Sequence, residues 1–163
     1  MTSSALVKRH GDFFNDVRLQ QLWLATQRRA WRSLAVVSAS AGLPTIDSAN
    51  MLAKMAWRYS GEPTSVFDLR DVSLRLVEHQ LREIAVQVAA GDRVFVALRS
   101  VTENPAAVPI ARAADALILC VALGKTDMKS AHRTIDAIGR ERFLGSILVE
   151  AEPPSPTHGY DGD

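Results

Sequence analysis

Apolar residues recur along this chain at two spacings, and each spacing predicts one kind of element. Four stretches carry them at the three-to-four-residue spacing of an amphipathic helix. These helices are predicted over residues 12–29, 47–59, 72–89 and 127–138, with the last one ending near Gly139. Five shorter apolar runs have the length of buried strands: 34–38, 65–69, 93–98, 116–123 and 145–150.

The alternation of strands with helices predicts the fold class. Strands separated by helices of ten or more residues favour βαβ units, and therefore an α/β fold with a mostly parallel central sheet and helices on both faces. Ligands of such folds bind beyond the carboxyl ends of the strands. The connection that follows each strand is therefore where a functional site is expected.

Length and composition bound the domain organisation. With 163 residues, 47% of them hydrophobic, the chain suits one domain with a well-buried core. We expect a flexible N-terminus over residues 1–11, a single domain over 12–150 and a disordered tail over 151–163, which is rich in Pro, Gly and Asp.

Charge and polar residues narrow the classes of partner. The formal net charge is +1 and the arginines are scattered, so a nucleic-acid partner is not expected. No apolar run reaches the roughly eighteen residues of a membrane span, so the chain is expected in the cytoplasm without membrane insertion. The histidines have no metal-ligand spacing and the single cysteine, Cys120, lies in an apolar run, so no metal site is expected.

The segment 33–57 has the layout of a phosphate-binding loop, namely a strand, a small-residue turn and a helix. Gly42 can make the tight turn. Beyond Leu43, four successive residues are unsuited to phosphate: Pro44, Thr45, Ile46 and Asp47. The proline removes a backbone donor, the threonine has no positive charge, the isoleucine has no oxygen for a metal, and the aspartate would repel a triphosphate.

The favoured interpretation of this segment is a plain strand-to-helix connection with Asp47 near the helix N-cap. The "GKT" at residues 124–126 does not supply the missing lysine, because the first glycine of that loop pattern would then fall at Leu119, inside a strand.

Five stretches in this order resemble one family. They read "WRSLAVVSASAG", "DSANMLAKMA", "VFDLRD", "DRVFVALRS" and "ADALILCVALGKT". Their order is similar to that of the cytoplasmic ATPase domain of bacterial polysaccharide-export tyrosine autokinases, which belong to the MinD/ParA class of deviant Walker ATPases. The resemblance covers roughly residues 13–150 and consists of a shared layout with scattered identities.

The resemblance implies a nucleotide site whose key residues are replaced. In the family's P-G-E-G-K-[ST]-T core, the lysine and hydroxyl positions correspond to Thr45 and Ile46. The family strand that ends in Asp-Leu-Arg is matched at Asp68 and Arg70. Ala97 stands where the second acidic motif has an aspartate that helps to hold the metal. Since phosphoryl transfer depends on positioning and charge neutralisation, these losses imply a pseudo-ATPase without bound nucleotide or metal.

Three hypotheses about function follow. The leading one is a non-catalytic regulatory or scaffolding component of exopolysaccharide or capsule biosynthesis and export. One alternative is a divergent nucleotide-binding ATPase or tyrosine kinase of the same family, which would use ATP and Mg²⁺ through Asp68 and Arg70. Another is a MinD/ParA-like adaptor for cellulose synthesis or pilus assembly.

The resemblance also implies partners, namely other copies of the chain and a membrane-anchored polysaccharide co-polymerase that could recruit it to the inner membrane. On the first helix, Leu19, Leu22 and Trp23 form a second apolar arc beside the one containing Phe13 and Phe14. Either the sheet edge or another subunit covers that arc, and the resemblance favours a subunit. Tyr160 is a candidate phosphoacceptor, although a solvated tail tyrosine is the more ordinary interpretation.

Overall fold

Five parallel strands form the centre of the molecule in the computed structural model, which describes residues 16–150. The strands are β1 (Ser33–Ser38), β2 (Thr64–Asp68), β3 (Arg93–Leu98), β4 (Ala116–Ala122) and β5 (Phe143–Val149). They are ordered β2-β3-β1-β4-β5, and every neighbouring pair is parallel. The α/β class and the parallel sheet predicted from the apolar runs are confirmed.

One helix precedes β1, and the other four connect successive strands, as βαβ units require. They are α1 (Val17–Thr26), α2 (Thr45–Ser60), α3 (Val77–Ala89), α4 (Ala107–Ala113) and α5 (Met128–Ile138), with short 3-10 turns at Leu74–Leu76 and Arg140–Arg142. None of the helices among residues 16–150 has the length and apolar content needed to cross a bilayer. The predictions for the N-terminal segment 1–11, the tail 151–163 and Tyr160 lie outside the described residues.

Successive side chains of each strand point to opposite faces of the sheet, and a hydrophobic core lies on each face. On one face, α1 and α2 cover a cluster that contains Leu34, Val36 and Phe95. On the other, α3 and α4 cover a cluster that contains Val37 and Val96. A fully buried strand such as β1 is apolar on both faces for this reason, which is why the strand runs were visible in the sequence.

The helix boundaries depart from the predicted ones for local reasons. Helix α3 begins at Val77 instead of residue 72, because the Asn104 amide donates to the carbonyls of Arg70 and Val72 and holds this stretch in a turn. Helix α1 ends at Thr26, where the Trp31 indole N–H donates a hydrogen bond to the Thr26 carbonyl at 2.8 Å. Helix α4 was not predicted at all, since its seven residues are mostly small and include a proline.

The second arc of α1, for which a partner subunit was one expected cover, packs inward within the single chain. Trp23 is 8% exposed, and both Leu19 and Leu22 pack against the cluster under α2. The Trp23 ring contacts Tyr59 at 6.0 Å between centroids and lies 5.6 Å from the Arg93 guanidinium carbon. A large aromatic side chain gains much from burial, which favours an inward orientation of this arc.

Candidate functional site

The carboxyl ends of the strands bring together most of the residues that the sequence singled out. The order β2-β3-β1-β4-β5 places the connections that leave β1 and β4 side by side, at the point where the chain changes direction across the sheet. The β1–α2 loop, the Asp68 end of β2 and the Ala97 end of β3 meet at this edge. This edge is therefore where a nucleotide site would be.

Thr45, which occupies the lysine position, faces the interior of the domain. The residue is completely buried, and its hydroxyl donates to the Leu98 carbonyl at 3.0 Å. Its backbone N–H donates to the Leu43 carbonyl at 2.9 Å. Neither donor is directed to a ligand, so the side chain at this position ties the loop to the end of β3.

The loop itself is a tight, internally bonded connection. Gly42 takes φ +78°, which fits the tight turn expected there. Leu43 is buried in the core under α2, and the Ser38 hydroxyl donates to the Ser40 carbonyl. The Ser40 and Thr126 hydroxyls lie 3.2 Å apart, which joins this loop to the loop after β4.

Helix α2 begins two residues earlier than predicted. Pro44 is its N-cap and makes no side-chain capping bond, so Asp47 lies in the first turn and not at the cap. A carboxylate in the first turn of a helix interacts favourably with the helix dipole. The hydrogen bond to Asp68 is the main cause that raises the pKa of Arg70, and the Asp47 charge acts in the same direction.

Asp68 and Arg70 form a two-pronged ion pair. Arg70 Nε and Nη2 each donate to a different Asp68 carboxylate oxygen at 2.8 Å. The hydrogen bond from Arg70 holds the pKa of Asp68 below its ordinary value, and the Arg99 charge acts in the same direction. The resemblance assigns the Asp68 carboxylate to a nucleotide site. Both of its oxygens accept hydrogen bonds from Arg70, two residues further along the chain.

Ala97 lies in register with Asp68 on one side and Val36 on the other. Its carbonyl accepts the Leu69 N–H at 3.0 Å, and its buried methyl group belongs to the cluster that includes Leu43. The position beside Asp68 therefore contributes no oxygen ligand. Residues 16–150 contain no group of three His, Cys, Asp or Glu side chains that could hold a metal ion.

Asn104 is a residue at this edge that sequence reasoning missed. Its amide nitrogen donates to the carbonyls of Arg70 at 3.1 Å and Val72 at 2.9 Å, and its Oδ1 accepts the Ala106 N–H. The only available signal was the Asn-Pro pair with Pro105, which is typical of a turn. Asn104 fixes the segment after β2, and with it the Asp68–Arg70 pair.

Lys125 lies after β4, in the loop that the Thr126 hydroxyl anchors by accepting the Ala122 N–H at 2.9 Å. The structure thus agrees with the interpretation that the "GKT" belongs to a different connection from the β1–α2 loop. The carboxyl ends of the strands therefore combine buried hydroxyls, such as that of Thr45, with the Asp68–Arg70 ion pair. The β1–α2 loop carries no cationic side chain.

Comparison with known proteins relates the fold to kinase domains. No protein-family model matches the chain, and no curated protein matches it. Among solved structures, the kinase domain of Escherichia coli tyrosine kinase ETK superposes with a TM-score of 0.66 at 12% identity, over 90% of this chain and 80% of that one. The BceF tyrosine kinase domain superposes with a TM-score of 0.63 at 13% identity, over 82% and 74% of the two chains. At such low identity, these matches show that the chain has the fold of bacterial tyrosine kinase domains.

Proposed function

We propose that this chain is a degenerate member of the polysaccharide-export tyrosine autokinase family, and that it regulates or scaffolds exopolysaccharide or capsule biosynthesis and export without catalysing phosphoryl transfer. The shared fold with two tyrosine kinase domains supports the family. The order of sequence motifs that meet at the carboxyl edge supports the same assignment.

The observation that carries the non-catalytic part is the position of Thr45. A phosphate site of this kind needs a cationic side chain and several backbone donors directed at one point. Here the corresponding side chain is a buried hydroxyl bound to Leu98, and its N–H is bound within the loop. Ile46 and Ala97 add no metal ligand, and Asp68 is paired with Arg70.

The proposed role works through protein contacts. Its partners would be other copies of the chain and a membrane-anchored co-polymerase, which would bring a cytoplasmic domain to the inner membrane. The molecule would require neither ATP nor Mg²⁺ for this role, and it would have no nucleic-acid partner.

Isothermal titration calorimetry with millimolar ATP and Mg²⁺ tests the proposal. We expect no binding heat from this chain, and no phosphate transfer to it from radiolabelled ATP. The ETK kinase domain serves as the positive control in the same buffer. The Thr45→Lys variant should also fail to bind, because the new lysine gains no metal ligand from Ile46 or Ala97.

Micromolar ATP binding by the unaltered chain would contradict the proposal. If that binding disappeared in the Asp68→Asn variant, the divergent-enzyme alternative would be favoured, with Asp68 and Arg70 as its site. If ATP does not bind, the surrounding genes separate the remaining two hypotheses. Glycosyltransferases and an export channel beside the gene favour polysaccharide export, and cellulose or pilus genes favour the adaptor.

A further inference from the structure

The amino ends of the five strands form a basic edge of the molecule. Because the strands are parallel, the residues that lead into them meet at one edge, opposite the carboxyl edge. These residues are 27–32, 61–63, 90–93, 112–116 and 139–143. They contain four carboxylates and seven arginines, so their formal charge is +3, against +1 for the whole chain. The arginines are Arg28, Arg29, Arg32, Arg93, Arg112, Arg140 and Arg142.

This concentration of charge is a product of the topology. The arginines lie far apart in the sequence, and the parallel sheet brings them together. At the carboxyl edge, by contrast, Arg70 is paired with Asp68 and Arg99 with Asp71, each at 2.8 Å. Since surplus charge in one place attracts ligands of opposite sign, the amino edge is where an anion site is expected.

A cleft of about 560 Å³ opens at this basic edge. Three of the arginines line it, namely Arg29, Arg32 and Arg93, and the Trp31 side chain forms part of the wall. Of the described residues that line the cleft, only Asp115 is acidic. The cleft therefore combines a cationic wall with an aromatic ring.

Arg29 is held in place by groups that do not neutralise its charge. Its Nη1 donates to the Glu141 carbonyl at 3.0 Å, and its Nη2 donates to the Arg142 carbonyl at 2.7 Å. Both acceptors are backbone oxygens, and the side chain is exposed. The guanidinium is thus fixed at the mouth of the cleft with its positive charge available to a ligand.

Arg93 has a donor that the described residues leave unused. Its Nε and the Arg32 guanidinium share the carboxylate of Glu62. Its guanidinium carbon lies 4.6 Å from the centre of the Trp31 ring and 5.6 Å from that of Trp23. Its Nη1 is buried and has no hydrogen-bond partner among residues 16–150. Aromatic faces attract the charge but are weak hydrogen-bond acceptors, so this donor lacks the oxygen that buried polar groups normally have.

The arginines favour phosphate as the anion. Guanidinium groups bind both carboxylate and phosphate oxygens through paired N–H donors. A carboxylate has two oxygens in one plane, whereas a phosphate monoester has three acceptor oxygens and up to two negative charges. Three arginines around one cleft are therefore better matched by a phosphate group.

The rest of the cleft can accept hydrogen bonds from hydroxyl groups. The backbone N–H groups of Arg32 and Ser33 both donate to Asp115 Oδ2, at 2.8 and 3.0 Å, which leaves Oδ1 for a ligand. The Gln27 amide nitrogen donates to the Thr26 hydroxyl at 2.8 Å, so its carbonyl oxygen is the atom left to accept. Two acceptors beside a cationic wall suit a molecule that carries hydroxyls as well as phosphate.

We propose that this cleft at the amino edge binds a small phosphorylated molecule with hydroxyl groups, of the sugar-phosphate class. Arg29, Arg32 and Arg93 bind the phosphate, and Asp115 and Gln27 accept from the hydroxyls. The site lies at the opposite end of the sheet from the β1–α2 loop, and the inference does not depend on the proposed function.

Isothermal titration calorimetry of the full chain with glucose 1-phosphate tests the proposal. The buffer contains neither Mg²⁺ nor nucleotide, so the result is separate from that of the ATP titration. We expect a dissociation constant of about 1 mM or lower, and no binding of glucose. Sodium sulfate should compete because it presents the same arrangement of oxygens, whereas sodium chloride at equal ionic strength should compete less.

Substitutions at the cleft locate the binding. The Arg29→Gln variant should raise the dissociation constant at least tenfold, because it removes a charged donor. The Arg29→Lys variant keeps the charge but loses the paired donors, so its rise should be smaller. The matched control is Arg75→Gln, which removes the same charge from an exposed arginine between β2 and α3 and should bind like the unaltered chain.

Tryptophan fluorescence provides a second measure of location if Arg29→Gln does not fold. In a Trp57→Phe chain, which lacks the tryptophan that is 64% exposed, glucose 1-phosphate should change the emission of Trp31 with the same dissociation constant. No binding at about 10 mM, equal competition by chloride and sulfate, or binding without an emission change would overturn the proposal. Equal losses in Arg29→Gln and Arg75→Gln would also overturn it. Any ATP binding that Arg29→Gln abolishes and Asp68→Asn leaves intact would support this cleft as the phosphate site.

Discussion

The side chain of Thr45 has a structural role at a position where a phosphate-binding loop contacts its ligand. Its buried hydroxyl donates to the Leu98 carbonyl, 53 positions along the chain, and so joins the start of α2 to the end of β3. A lysine at this position would leave that carbonyl without its donor. Thr45 thus stabilises the fold at the position where the lysine of a phosphate-binding loop would contact a ligand.

The Thr45→Val variant should be destabilised by about 1–3 kcal/mol, because it keeps the volume of threonine but leaves the buried Leu98 carbonyl unpaired. The Thr45→Ser variant keeps the donor and is the matched control, with a smaller loss. Urea unfolding followed by circular dichroism measures both. If the valine variant were as stable as the native chain, the Thr45–Leu98 bond would not be what holds the loop.

At the scale of elements, α1 determines how one face of the sheet is closed. The helix places Trp23 between α2 and the Arg93 guanidinium, while Leu24 points outward with 67% exposure. Substitutions of Trp23 and of its neighbour Leu24 can therefore show which arc of α1 is buried.

The Trp23→Ala variant should lose about 3–5 kcal/mol of unfolding free energy, since it removes a large buried aromatic side chain. The adjacent Leu24→Ala change should stay within about 0.5 kcal/mol, as is usual for exposed positions. Chemical denaturation of both variants measures the difference. Equal losses would mean that α1 does not bury its tryptophan in solution, and that this arc is again available to a partner.

At the scale of the whole molecule, the central strands protect the interior from solvent. Cys120 lies on β4 between β1 and β5, fully buried, and burial raises the pKa of its thiol to about 11. Because the thiolate is the reactive form, both the raised pKa and the burial slow its reaction with thiol reagents. It is the single cysteine of the chain, so any labelling reports this site.

Labelling of Cys120 at pH 8 should require opening of the whole sheet, because β4 is paired on both sides. The free energy derived from the labelling rate should match that of global urea unfolding and fall with urea at the same slope. Mass spectrometry during the reaction provides the rate. Rapid labelling of the native chain, with little dependence on urea, would show that β5 separates locally from β4.

The sequence by itself determined the features that depend on nearby residues. The five strands were predicted because buried parallel strands are apolar on both faces, and their alternation with helices led to the confirmed α/β fold. The departures from a phosphate loop at Thr45, Ile46 and Ala97 were also visible in the sequence, because they are questions of residue identity. The absence of nucleotide binding that they imply remains a prediction.

Only the tertiary structure decided features that depend on residues far apart in the chain. The buried arc of α1 was ambiguous because two apolar arcs competed, and contacts with Tyr59 and Arg93 selected the one with Trp23. The hydrogen bonds from Thr45 to the Leu98 carbonyl and from Asn104 to the Arg70 carbonyl join residues that are dozens of positions apart. Local sequence patterns therefore do not predict them. The strand order likewise left β5 at an edge, because neighbours in a sheet are selected by packing over the whole molecule and not by order along the chain.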